Sequence, residues 1–133
     1  MRNALIALMV IVGFGSCKKE LVDASTNDIA DISSLEGFKA DIKEGTTVVF
    51  FFAVWCEVCE EFRPTVESVS THSDVSEANF LEVEYEDNRD IFKEFGVSSF
   101  PQLIVYKNGT EQEKLIGKNH TQEEVINTIK KYL

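Results

Sequence analysis

Thr47-Val48-Val49-Phe50-Phe51-Phe52-Ala53-Val54-Trp55-Cys56-Glu57-Val58-Cys59 decides the reading of this 133-residue chain. The run from Thr46 to Ala53 is apolar at nearly every position, as a strand covered on both faces requires. A helix is expected to start at Cys56 and run to about His72. A strand that delivers two cysteines, two residues apart, to a helix start suits dithiol–disulfide exchange. The spacing lets the sulfurs bridge once a helical turn brings them together. The free N–H groups and the positive end of the helix dipole favour thiolate there. Cys56, at the exposed end, is expected to attack; Cys59, deeper, is expected to resolve the mixed disulfide. Two plainer readings stand beside this one. Half a zinc site would need two more ligands, and only Cys17, His72 and His120 are available, none paired at ligand spacing. A purely structural disulfide would close a very small loop and gain little from chain entropy.

The surroundings carry a resemblance. Phe52-Ala53-Val54-Trp55-Cys56-Glu57-Val58-Cys59 resembles the active-site segment of the thioredoxin family. Pro64 falls where that family bends its active-site helix. Phe95-Gly96-Val97-Ser98-Ser99-Phe100-Pro101 resembles its loop carrying a cis-proline opposite the cysteines, and Gly117 falls where it keeps a glycine near the site. Leu103 to Gly109 is similar to its next strand and hairpin turn. The resemblance spans roughly Ser34 to Leu133. It implies a thioredoxin fold: an α/β domain with a central mixed sheet and helices on both faces. It also implies that Trp55, Phe100 and Pro101 contact the substrate polypeptide, with Pro101 cis, and that the Cys56–Cys59 pair works without a cofactor. The plainer readings are a space-filling Trp55 and an ordinary extended Phe100-Pro101 dipeptide.

Departures from the family pattern cluster at the site. Thioredoxin buries an acidic residue beneath the second cysteine, and Phe50 stands there. The family's lysine on the neighbouring strand corresponds to Glu82, so a proton-transferring carboxylate is expected to have moved to Glu82, unless that side chain faces solvent. Glu57 and Val58 separate the cysteines in place of glycine and proline, and both are expected to tune the redox pair. Glu57, Glu60 and Glu61 surround it, and negative charge disfavours thiolate, although carboxylates in a first helical turn also stabilise the helix.

The first residues form a separate unit. Met1-Arg2-Asn3 is positively charged, Ala4 to Phe14 is apolar, and Gly15-Ser16-Cys17 ends in small residues and a cysteine. The apolar stretch is short for a membrane span and has the shape of a secretory signal. It resembles a bacterial lipoprotein signal, residues 1–16, in which Cys17 becomes the lipidated first residue. An uncleaved anchor and ordinary cleavage nearby are the alternatives. Lys18-Lys19-Glu20 fits both a surface-export signal and a polar linker. Residues 17–32 are expected to be a flexible tether on composition, and 33–133 the domain.

That domain is long enough for one core. A net charge of −10 argues against nucleic acid, which would need clustered Lys and Arg; Lys130-Lys131 suits a helix end instead. Along the chain, Ser33 or Ser34 caps a helix through Leu35, Phe38 and Ile42, closed by Gly45. Strands are expected at Asn79–Tyr85, Gln102–Tyr106 and Glu113–Ile116, the last two joined by a two-residue turn at Asn108-Gly109. A helix covers Asp87–Phe95, with Phe92, like Phe80, in the core. Thr121 and Glu124 form a capping box for the last helix. His72 and His120 are expected at solvated helix boundaries without partners.

Together these readings imply an extracytoplasmic, membrane-anchored thiol–disulfide oxidoreductase acting on protein disulfides. A monomer is expected, recharged by a membrane electron donor, with no metal. Reduction is the favoured direction, because acidic neighbours do not stabilise the dithiolate that a strong oxidant needs. Cys59 and Pro101 are too close in sequence for the long insert of cytochrome-maturation relatives. The other class of function is a non-catalytic thioredoxin-fold binding module stapled by its disulfide.

Overall fold

The computed structural model describes residues 29–133, so the signal segment, Cys17 and the chain to Asp28 lie outside it. Its organising element is β2 (Thr46–Phe52), in which all seven residues are buried. A strand with no wet face must be covered on both sides. Val48, Phe50 and Phe52 point into one apolar cluster, and Val49 and Phe51 into the other.

Helix α2 (Glu57–Ser70) covers the first face with Cys59, Phe62, Val66 and Val69. These positions recur every three or four residues, the period that puts side chains on one helical stripe. Helix α4 (Gln122–Lys130) packs beside it through Val125, Ile126 and Ile129. The opposite face is covered by α1 (Leu35–Asp41), through Phe38, and by α3 (Arg89–Glu94), through Ile91 and Phe92. Each fully buried Phe or Ile contributes about 1.5–3 kcal/mol relative to an exposed one, so the two aromatic-rich layers dominate stability.

The sheet has the order β1 (Ala30–Asp31), β3 (Asn79–Glu84), β2, β4 (Gln102–Lys107), β5 (Thr110–Ile116). β3 runs parallel to β2, with Glu82 beside Phe50 and Glu84 beside Phe52. β4 and β5 are antiparallel neighbours on the other side. Asn108 and Gly109 both take positive φ, as a two-residue turn of this kind demands. The last strand begins at Thr110 rather than Glu113. A register shift between Val105 and Tyr106 leaves Gln112 outside the pairing, and this bulge hides the strand's alternation.

The tether boundary at residue 32 needs correction. Ala30–Asp31 form β1, an edge strand parallel to Leu81-Glu82. Ile32 follows it into the core, its N–H donating to the Glu82 carbonyl at 3.1 Å. The polar residues Ser25 to Asp28 mask this strand in the composition, but backbone pairing needs no apolar side chains. The hydroxyl caps follow the sequence: Ser34 Oγ accepts from the Gly37 N–H at 3.1 Å, and Thr121 Oγ1 from the Glu124 N–H at 3.1 Å. The second half of the expected capping box differs, because the Glu124 carboxylate meets His120 instead. Helix α1 stops at Asp41 with Ile42 as its cap, earlier than Gly45, which instead turns the chain into β2 with φ +72°.

Candidate active site

β2 ends at Phe52, and the chain turns through Ala53-Val54-Trp55 to the start of α2. Cys56 is the N-cap of that helix: its backbone is extended, and its Sγ accepts from the Cys59 N–H at 3.2 Å. A thiolate at this atom would meet a free helical N–H and the positive end of the dipole. The two sulfurs are joined as a disulfide. Their environments differ. Cys56 is 9% exposed and Cys59 is fully buried, and both belong to the apolar cluster that holds Phe62 and one face of β2. Among the described residues no group of three or more His, Cys, Asp or Glu gathers to hold a metal.

Exposed apolar side chains flank the pair along the chain and stand at the end of β5. Val54, Trp55, Val58 and Ile116 are 68%, 60%, 41% and 60% exposed. The Phe100-Pro101 bond is cis. The Trp55 ring meets Phe100 edge-on at 5.3 Å, and Phe100 rests in turn on Tyr85 and Phe92. The Pro101 carbonyl accepts from the Gly117 N–H at 2.9 Å, which ties the proline loop to the end of β5 beside Ile116. The structure thus brings Trp55, Cys56, Val58 and Phe100-Pro101 to one end of the sheet.

The charged residues sort differently from expectation. Glu57 is exposed, and no ion pair among the described residues engages it. Glu60 meets Arg63 at 3.5 Å, and Glu61 pairs with Lys118. Glu82 lies on the α2 face of β3, half-buried, with its carboxylate bound to the Arg63 guanidinium at 2.9 Å. It therefore neither faces open solvent nor stands alone. Both histidines have partners. His72 Nδ1 accepts from the Asp74 N–H, and the His120 ring nitrogens meet Glu124 and the Ile116 carbonyl at 3.1 and 3.0 Å.

Three contributors escaped the sequence reading. Glu84, at the end of β3, is buried and accepts from the Val54 and Asp87 N–H groups at 3.2 and 3.1 Å, so a carboxylate holds the backbone just before Trp55-Cys56. Glu86 accepts from the Trp55 indole Nε1 at 3.1 Å and pairs with Arg89. The Arg89 hydrogen bond first, and the Trp55 one second, hold the Glu86 carboxyl below the usual carboxylate range. The third is Arg63. Burial pulls its pKa down, but the hydrogen bond and charge of Glu82, with Glu60 behind it, more than reverse this and raise it. The available signal was parity: residues 80, 82 and 84 share one face of a strand in a covered sheet, so both glutamates needed partners.

Comparison with known proteins agrees with this geometry. The thioredoxin family model matches residues 30–131. Thioredoxin of Chlamydia caviae is 34% identical over 86 residues, 65% of this chain and 82% of that protein. Thioredoxin-1 of Schizosaccharomyces pombe is 34% identical over 93 residues, covering 68% and 87%. Among solved structures, thioredoxin of Trypanosoma brucei brucei superposes with a TM-score of 0.73 at 24% identity, covering 82% of this chain and 94% of its own, which speaks for the fold. Oxidised thioredoxin of Plasmodium falciparum gives 0.68 at 26%, covering 79% and 98%. Thioredoxins act on protein disulfides through a redox-active cysteine pair and need no cofactor, and across residues 30–131 this chain belongs to the thioredoxin family as a thiol–disulfide oxidoreductase.

Proposed function

We propose that this protein reduces disulfides of other proteins outside the cytoplasm, held at a membrane by a lipid on Cys17. The observation that carries the catalytic half is the asymmetry of the pair. Cys56 caps the helix and keeps a small exposed fraction, 9%, while Cys59 has none. In the reduced protein the Cys56 thiolate attacks one sulfur of a substrate disulfide. That bond breaks, a mixed disulfide forms, and one substrate sulfur leaves as thiolate. The Cys59 thiolate then attacks Cys56 Sγ, closing the internal disulfide and releasing the second substrate sulfur. Two electrons pass from the protein dithiol to the substrate, and the departing thiolates take protons from water. Exposed Val54, Trp55, Val58 and Ile116 offer apolar contact to an extended substrate segment, and the cis Phe100-Pro101 segment, packed against Trp55, receives its backbone.

Direction follows from charge. Glu57 and its acidic neighbours oppose the thiolate that a strongly oxidising pair must stabilise, which supports reduction. A reductase in that compartment must be recharged, and a membrane dithiol donor is the partner of the right chemistry. The sequence Met1 to Cys17 supports the location.

A Cys59→Ser variant tests the assignment. It is expected to accumulate mixed disulfides with partner proteins, while Cys56→Ser accumulates none. Trapping by Cys56→Ser instead would reverse the roles. Failure of the wild type to exchange with glutathione or to reduce a protein disulfide would leave a binding module with a structural bridge.

A further inference from the structure

Arg63 is the partner that half-buried Glu82 needs, and its position reaches further than that pairing. It stands four residues after Cys59, so the two side chains share a helical face, and Cα–Cβ bonds in a helix lean toward its N-terminus. The long side chain therefore reaches back toward the turn that holds Cys59. Its guanidinium lies over the stacked rings of Phe50 and Phe52, 5.3 Å from the first centroid and 4.5 Å from the second. Phe52 is the residue nearer the active-site end of β2, so the cation leans toward the cysteines. Glu82 fixes it from β3 at 2.9 Å, and Glu60 approaches from one turn back at 3.5 Å. Both aromatic rings belong to the same buried cluster as Cys56 and Cys59.

We propose that Arg63 is a positioning residue that tunes the redox pair, its charge favouring thiolate in the reduced protein, with Glu82 as its counter-ion rather than as the proton acceptor. Cation and carboxylate then act on the thiols with opposite signs. An arginine suits this role: it stays charged when partly buried, stacks on aromatic rings and keeps donors free for a carboxylate. Phe50 and Phe52 exclude water from one side of the guanidinium, so its field is less screened than that of the exposed glutamates.

This inference rests on the redox reading of Cys56 and Cys59, and its test separates the two. The equilibrium constant of the full-length protein with glutathione is measured from about pH 6 to about pH 10, alongside thiolate absorbance of the reduced form. Arg63→Met removes the cation and leaves Glu82 uncompensated. It is expected to raise the thiol pKa and shift the constant toward the disulfide by about three- to tenfold in the thiolate range, ~15–30 mV more reducing. Glu82→Gln frees the cation, lowers the thiol pKa and shifts the constant toward the dithiol. The double variant falls between them, and Arg63→Lys, which keeps the charge, recovers most of the wild-type constant. A packing role would move unfolding midpoints without these opposed shifts. Shifts of the same sign for Arg63→Met and Glu82→Gln, or none in either, would overturn the proposal. So would a Glu82→Gln variant that slows resolution of mixed disulfides with the constant unchanged. If Arg63→Met fails to fold, Glu82→Gln and Arg63→Lys still decide it. Absence of any exchange in the wild type would instead refute the redox reading itself.

Discussion

Glu84→Ala is expected to loosen the backbone before the cysteines and to cost the domain about 2–4 kcal/mol. The carboxylate is 8% exposed and accepts two backbone N–H groups, Val54 at 3.2 Å and Asp87 at 3.1 Å. A hydrogen bond to a charged group contributes about 1.5–3 kcal/mol, so the two together set a ceiling of about 3–6. Val54 is 68% exposed, and water can take up part of what its N–H loses, which lowers the expectation to the stated range. With a urea slope of about 1–2 kcal/mol per molar, the unfolding midpoint should fall by about 1–4 M at constant slope. Amide exchange at Val54 should accelerate more than at the centre of β2, because the lost bond is local. Glu84→Gln keeps one acceptor oxygen but turns an amide donor toward the second N–H, and should cost less than Glu84→Ala. A Glu84→Ala stability within about 0.5 kcal/mol of wild type would be ordinary for a surface substitution. Combined with unchanged Val54 exchange, it would refute the idea that this carboxylate holds the active-site turn.

Replacing Glu57 and Glu60 by Gln together should lower the reactive thiol's pKa by a fraction of a unit, since an exposed charge is worth up to about 1 kcal/mol and a unit about 1.4; thiolate titration should show the effect shrinking at high salt. Glu86 titrates below its ordinary value of 4.5, so its bonds to Arg89 and the Trp55 indole persist above that pH and are lost as pH falls through the lowered value. Trp55 is the chain's one tryptophan, so its fluorescence should report a transition below pH 4.5 that Glu86→Gln abolishes. Cys17→Ser should end fatty-acid labelling and release the protein from membranes, and equal labelling of both forms would exclude the lipid anchor.

What the sequence showed and what it hid have different physical origins. β2 was legible because a doubly covered strand must be apolar at consecutive positions, and few other elements are. Both caps and the Asn108-Gly109 turn were legible because their chemistry is local. The disulfide was legible because its partners are three residues apart. β1 was hidden because an edge strand of two residues is held by backbone bonds to Leu81 and Glu82, to which side-chain pattern is blind. The fate of Glu82 was hidden for a related reason. Its strand position was clear, but its partner lies on α2, and sequence spacing does not predict a cross-element ion pair.

Phe50 explains why the pair had to be built from the helix. An apolar ring there leaves the space beneath Cys59 without a polar strand residue, yet β3 turns Glu82 and Glu84 toward the same face. A half-buried and a buried carboxylate cannot be left unpaired at acceptable cost. Glu84 is satisfied by the N–H groups of Val54 and Asp87, and this draws the turn before Cys56 onto the sheet. Glu82 is satisfied by Arg63, and this brings a cation onto the rings of Phe50 and Phe52 one helical turn past Cys59. The same strand thus holds the turn two residues before Cys56 through Glu84 and, through Glu82, places a cation one helical turn past Cys59. A substitution at either glutamate should therefore reach the disulfide by a different route, one through backbone order and the other through electrostatics. Amide exchange at Val54 and the glutathione constant separate those routes. Glu84→Gln should disturb the first more than the second, and Glu82→Gln the second more than the first.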